Sequence, residues 1–140
     1  MMDCPLADKG GTSMTVDEMA RRLLTKLVTC RSDLAGYIQL LKAKGYMSVS
    51  ETDRLRERFF ALALEIRDKG ERLSQMPDRD ARGALYRAEE ALSSAAVCLM
   101  SGRQDCPTYI TVNADKLERS LNVLSYCVQY LSERAPLEEA

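Results

Sequence analysis

Among the side chains that commonly act as bases, nucleophiles or metal ligands, this sequence contains no histidine. It is the commonest general base and metal ligand, and phosphorelay proteins that use phosphohistidine require it. A di-iron bundle would need inward-facing Glu-x-x-His pairs, and a zinc site would need cysteines or histidines at short spacing. Neither pattern occurs, and the scattered glycines form no phosphate-binding loop. The sequence therefore predicts no metal, no cofactor and no nucleotide site of these kinds.

Adjacent carboxylates occur at Glu89-Glu90 and again at Glu138-Glu139. Neighbouring side chains of a helix point about 100° apart, so two adjacent carboxylates cannot easily share one substrate atom. Catalytic acids and bases must reach the same reacting group, so these pairs do not predict an active site. We expect a protein that is not an enzyme.

The five cysteines form an odd set without Cys-x-x-Cys spacing: Cys4, Cys30, Cys98, Cys106 and Cys127. Such a set is typical of free thiols in a reducing compartment, so we expect a cytoplasmic protein without a structural disulfide. Cys30 lies in a stripe of leucines, where a thiol usually fills the core. An enzyme that uses a cysteine or a tyrosine would need a pocket around a reactive group, and it is a third functional hypothesis.

Arginines suggest a nucleic-acid-associated regulator that would use Arg54, Arg56 and Arg58 together with Arg82 and Arg87. Binding would require these arginines to converge on a surface without carboxylates between them. The 20 basic and 21 acidic residues leave a net charge of −1, so no global field attracts nucleic acid. Acidic neighbours of the arginines favour a solvated, self-paired helix face instead.

The elements that position these side chains belong to a chain of 140 residues, of which 46% are hydrophobic and 29% charged. This length and composition predict one globular domain with a packed core. The N-terminus lacks a basic segment followed by an apolar run, and no stretch approaches the roughly 20 apolar residues of a membrane helix. We expect the chain to stay in the compartment where it is made.

The first helix is predicted over residues 15–44, after a flexible tail over residues 1–14. Thr15 and Glu18 have the spacing of a capping box, and an apolar stripe follows at alternating steps of three and four residues. Gly45 can adopt the left-handed conformation that ends a helix.

Two more helices follow the same rules. Ser48 begins a second capping box, and an apolar face predicts a helix over residues 49–75 until Pro77 prevents its continuation. Asp78 can cap a third helix, which ends at Ser101-Gly102. Its alternating alanines allow a close approach to a neighbouring helix.

The fourth helix begins after Asn113, which can cap it, and precedes an acidic tail over residues 135–140. Its core face is predicted to contain Leu117, Leu121, Leu124, Val128 and Leu131. In the connection before it, residues 109–112 are β-branched and could be extended, but they are too short and too isolated to predict a sheet.

Four amphipathic helices with short connections predict an all-α fold, a four-helix bundle that is mainly up-and-down over residues 15–134. A three-helix arrangement that completes its core by dimerising is the alternative architecture, because long helices with heptad-like stripes permit it.

The fourth helix carries more apolar surface than one core face needs. On a helical projection that places Leu117 at 0° and advances about 100° per residue, the core residues lie within roughly 40° of Leu117. A second apolar arc lies at about 180° to 280° and contains Val123, Tyr126, Cys127 and Tyr130. Either this helix is central and buried all round, or the second arc is an interface, where tyrosine is favoured.

Helix 2 carries a smaller second arc at Phe60 and Leu64. Since catalysis is poorly supported, the sequence favours a non-catalytic protein–protein interaction module, an adaptor, regulator or chaperone-like bundle. Its expected partner is another protein or a second copy of itself in a homodimer. A membrane is not an expected partner, and a nucleic-acid-associated regulator is the alternative.

Overall fold

The computed structural model describes residues 15–134 and forms an all-α bundle, which confirms the predicted fold class. The helices are α1 (Val16–Lys44), α2 (Val49–Asp68), α3 (Gly70–Leu73), α4 (Arg79–Met100) and α5 (Ala114–Arg134). The strands are β1 (Met47–Ser48), β2 (Arg103–Cys106) and β3 (Tyr109–Thr111). The tails predicted over residues 1–14 and 135–140, with Cys4 and Glu138-Glu139, lie outside the described residues.

The four long helices pack in a ring that follows their order along the chain. α1 contacts α2, α2 contacts α4, α4 contacts α5, and α5 returns to α1. This order is that of an up-and-down bundle, in which each helix packs beside its neighbour in sequence. No helix in the described part of the chain is long and apolar enough to cross a membrane.

Helix ends follow local sequence rules. Thr15 Oγ1 accepts a hydrogen bond from Glu18 N at 3.1 Å, and Thr15 N donates to Glu18 Oε1 at 3.0 Å, so the capping box forms. Gly45 ends α1 with a φ of 86°, a conformation that a side chain would oppose. Asp78 caps α4 and Asn113 caps α5 through hydrogen bonds of 3.1 Å each.

The second helix is shorter than predicted. It ends at Asp68 rather than near residue 75, because the chain leaves helical geometry at Lys69 and makes the single turn α3. Gly70 follows the break, and glycine is a poor helix former. Leu73, which belongs to the predicted apolar face, is still buried at 0% exposure, because the turn α3 directs it into the core.

The expectation that no sheet forms was wrong. The strands pair in the order β1-β3-β2, with Met47 opposite Ile110 and Ser48 opposite Tyr109. The α4–α5 connection forms the β2–β3 hairpin, and β1 of the α1–α2 connection pairs with the central strand β3. A Cβ at Gly102 would lie 2.7 Å from the Ile110 side chain, so only glycine fits this close approach.

The core lies inside the ring of helices and includes most of the predicted stripe of the last helix. Leu117, Leu124 and Leu131 are buried, whereas Leu121 and Val128 are half-buried. Within the core, the Tyr37 hydroxyl lies 2.8 Å from Thr52 Oγ1. Burial raises the pKa of this hydroxyl.

Candidate protein-binding surface

The structure separates the four residues that the sequence assigned to the outer arc of α5. Tyr126 is 54% exposed and Val123 and Tyr130 are half-buried, but Cys127 has 0% exposure. Cys127 therefore lies in the core and cannot contact a partner directly. Because α5 packs against both α1 and α4, its buried sector is wider than a single-face projection predicts.

Tyr126 and Tyr130 form an aromatic stack that extends onto α4. Their ring centroids lie 6.2 Å apart with planes 19° from parallel, and the Arg87 guanidinium carbon lies 5.3 Å from the Tyr126 centroid. This geometry is that of a cation–π contact between neighbouring helices. The stack therefore presents an apolar surface with polar tips beside the α4–α5 contact.

An open groove of about 1010 Å³ continues from this stack along the outer side of α4 and α5. We call it the α4–α5 groove; its walls include Arg87, Glu90, Ser94 and Val97 of α4 and Lys116, Arg119 and Val123 of α5. Ala91, Ser93 and Ser120 also line it. Small side chains at these positions leave the space between the helices unfilled, and Val97 is 54% exposed at its edge.

Ion pairs close the other three outer seams, by which we mean the lines along which neighbouring helices meet at the surface. Lys26 and Glu65 join α1 to α2 at 2.7 Å, and an ion pair between Arg58 and Asp33 crosses the same seam. Lys42 and Glu118 join α1 to α5 at 2.6 Å, and Arg67 and Glu89 join α2 to α4 at 2.5 Å. Among the described side chains, no ion pair crosses from α4 to α5.

The α4–α5 groove is locally cationic. Arg67, Arg87, Lys116 and Arg119 line it with two carboxylates, and one of these, Glu89, is already paired with Arg67. Within residues 15–134, no described carboxylate lies within 4.0 Å of the Lys116 or Arg119 side-chain nitrogens. Two cations therefore face the groove without a counter-ion among residues 15–134, in a chain whose net charge is −1.

The thiols near the groove are protonated at neutral pH. Burial raises the pKa of Cys98, which Lys116 and a hydrogen bond to Asn113 O partly offset, and burial also raises the pKa of Cys127 beside Arg87. Cys30, elsewhere in the core, has a pKa raised to about 11. A protonated, buried thiol is a poor nucleophile. Within the described residues no three acidic, cysteine or histidine side chains gather as metal ligands.

The five arginines of the nucleic-acid hypothesis do not converge on a carboxylate-free surface. Arg56 lies 3.7 Å from Asp53, and Arg58 pairs with Asp33. Arg82 donates to Ser74 O at 2.7 Å, and Arg87 covers Tyr126 on another side of the bundle. The condition that the sequence set for this hypothesis is therefore not met.

Sequence reasoning identified the tyrosines of this surface but missed the groove beside them. The available signal was the set of serines on the outward side of α4, where Ser94 and Ser101 are exposed. The sequence analysis assigned close helix packing to the alanines of this helix and drew no inference from the serines, because whether the space beside them is filled depends on where α5 lies.

Residues 14–139 match the family model described as biofilm formation protein (YliH/bssR). The chain is 55% identical over 127 residues to the biofilm regulator BssR of Escherichia coli strain K12, covering 91% of this chain and 100% of that protein. Proteins of the same name from Escherichia coli O157:H7 and Shigella flexneri match with the same identity and coverage. No solved structure matches this chain.

Proposed function

The chain belongs to the YliH/BssR family of biofilm formation proteins, and from this membership we propose that it regulates biofilm formation by binding another protein at the α4–α5 groove. The relatives are named as regulators of biofilms, and this role is carried over to the present chain as part of the proposal. The proposed action is non-catalytic and needs no cofactor.

One observation carries the proposal: the α4–α5 seam differs from the other three. Ion pairs cross those three seams, whereas this seam holds a groove, an exposed Tyr126 and two cations without a described counter-ion. A surface that contributes little to the bundle's own packing is free to contact a partner. Tyrosine and arginine are enriched at protein interfaces, and both occur here.

The chemistry of the groove favours binding over catalysis. The α4–α5 groove is partly open to solvent, which suits a polypeptide better than a small substrate that must be enclosed. Burial keeps Cys98 and Cys127 protonated, so the nearby thiols are not activated.

Filling the groove tests the proposal. In a strain of the native host that lacks the gene, we compare complementation by the wild type, by Ser94→Trp and by Ser32→Trp. Ser94 lines the groove and is exposed, and Ser32 is an exposed serine on α1. Staining of the attached biomass should show loss of regulation with Ser94→Trp alone.

Immunoblotting and circular dichroism show whether both variants accumulate and fold. If Ser94→Trp regulates biofilm mass like the wild type while folded at the same level, the groove is not the functional surface.

A further inference from the structure

We infer that the partner places an amphipathic helix with acidic flanks in the α4–α5 groove. The inference rests on the proposed function, which assigns protein binding to this groove, and it adds the chemical class of the bound segment. It is carried by the length of the groove, the size of its floor residues and the sign of its charges.

The groove has the length and periodicity of a helix-binding site. Arg87 of α4 and Ser101, the C-cap residue of α4, both line it, and their separation corresponds to about 21 Å at roughly 1.5 Å per residue. On α5, Lys116, Arg119 and Val123 line it at steps of three and four residues. A helix of about four turns lying parallel to both walls would contact these positions in succession.

Small residues permit a close approach of the bound helix. Ala91 and Ser94 line the groove, and helices that pack through small side chains approach to about 8–10 Å between axes. Val97 of α4 and Val123 of α5 supply apolar contacts from the two walls of the groove. The apolar stripe of an amphipathic helix fits this arrangement.

The positive charges of the groove favour acidic residues beside the apolar stripe of the bound helix. Lys116 and Arg119 lie on the α5 wall without a described carboxylate within 4.0 Å, and Arg87 lies further along the groove on α4. Glu90 is the only groove carboxylate in the described chain that has no described ion pair. A bound glutamate or aspartate would pair with these cations, whereas lysines on the same helix would be repelled.

A second copy of the chain is less well matched to the same groove. A two-fold dimer through this surface would place the cationic groove of one copy against that of the other, because an isologous contact uses the same patch twice. Like charges would then face each other, and the wall cations Lys116 and Arg119 would gain no acidic partner.

The experiment is a selection from a displayed library of helical peptides of about 14 residues, the length of four helical turns. Apolar residues occupy the a and d heptad positions, and glutamate or lysine occurs with equal frequency at e and g. Full-length wild-type protein and the variants Lys116→Glu/Arg119→Glu and Arg22→Glu/Arg54→Glu serve as baits. The last variant makes the same charge change at exposed arginines of α1 and α2.

We expect the wild type and the Arg22/Arg54 variant to enrich glutamate at e and g. The Lys116/Arg119 variant should lose that preference and bind the selected acidic peptide at least about tenfold more weakly, with the wild-type affinity falling as ionic strength rises. Circular dichroism of the variants checks that the helices remain folded.

The alternatives give distinct results. Enrichment of helices without a charge preference, or with lysine, overturns the acidic partner but leaves the proposed protein binding intact. No enrichment with any bait, together with normal regulation by Ser94→Trp, overturns both. Concentration-dependent dimerisation that Lys116→Glu/Arg119→Glu abolishes would assign the groove to a second copy, and tight binding of a labelled DNA duplex through the same cations would assign it to nucleic acid.

Discussion

The two sides of α4 show how one helix can serve both stability and binding. Towards α2, the contact is extensive, Phe59 and Ile66 of α2 are fully buried, and the Arg67–Glu89 ion pair closes the surface. Towards α5, the inner contact is also extensive, but the outer seam opens into the α4–α5 groove. Substitutions on the α2 side should therefore change folding, and substitutions in the groove should change binding.

The largest expected contrast is between Phe59→Ala and Val97→Ala. Phe59 has 0% exposure, so its truncation should lower the free energy of unfolding by about 3–5 kcal/mol. Val97 is 54% exposed in the groove, and its truncation should change that free energy by less than about 1 kcal/mol. Urea denaturation of both variants measures the difference, and equal losses would show that the groove is part of the stabilising core.

A second contrast separates two neighbours on α5. Cys127→Ser places a hydroxyl at a position with 0% exposure and should cost about 1–3 kcal/mol unless the hydroxyl finds a partner. Tyr126→Ser removes a ring that is 54% exposed and should cost less than about 1 kcal/mol. Thermal unfolding of the two variants is the measurement. A larger loss of stability for Tyr126→Ser than for Cys127→Ser would show that Tyr126 belongs to the core.

Alkaline pH should lower the free energy of unfolding through the buried thiol of Cys30. Burial raises the pKa of this thiol from 9.0 to about 11, so between these values the unfolded chain loses its proton while the folded chain keeps it. The free energy of unfolding should then decrease as pH rises from 9.0 to about 11. Cys30→Ala should show a shallower decrease in urea titrations at stepped pH, and an unchanged slope would contradict the assignment.

The smallest effects concern surface charges. Lys26→Ala removes the ion pair with Glu65 across the α1–α2 seam and should cost up to about 1 kcal/mol, since both side chains are partly solvated. Lys116→Ala removes a groove cation without a described ion pair and should leave stability within about 0.5 kcal/mol of the wild type. Chemical denaturation at low and high salt compares them. A larger cost for Lys116→Ala would indicate that the groove cations stabilise the fold.

The features that could be predicted from the sequence are those that local chemistry decides. The Thr15 capping box, the Gly45 C-cap and the Asp78 cap each depend on residues within one turn of the helix end. The stripe that contains Leu117 and Leu124 depends only on helical periodicity. The structure therefore confirms these predictions.

The features that could not be predicted depend on residues far apart in the chain. β1 finds its partner only when Met47 meets Ile110, which lies in the other connection. The burial of Cys127 and the opening beside Val97 both depend on how α5 lies against its two neighbours. A projection of one helix contains no such information.

Site-specific photo-cross-linking in living cells tests the central claim, that the α4–α5 seam meets a partner, most directly. A photoreactive amino acid replaces either Ser94 in the groove or Ser32 on the exposed face of α1, and the tagged protein is recovered after irradiation and analysed for adducts. We expect a discrete protein adduct from position 94, none from position 32, and loss of the adduct when Lys116→Glu and Arg119→Glu are added. Equal adducts from both positions, or an adduct from position 32 alone, would contradict it.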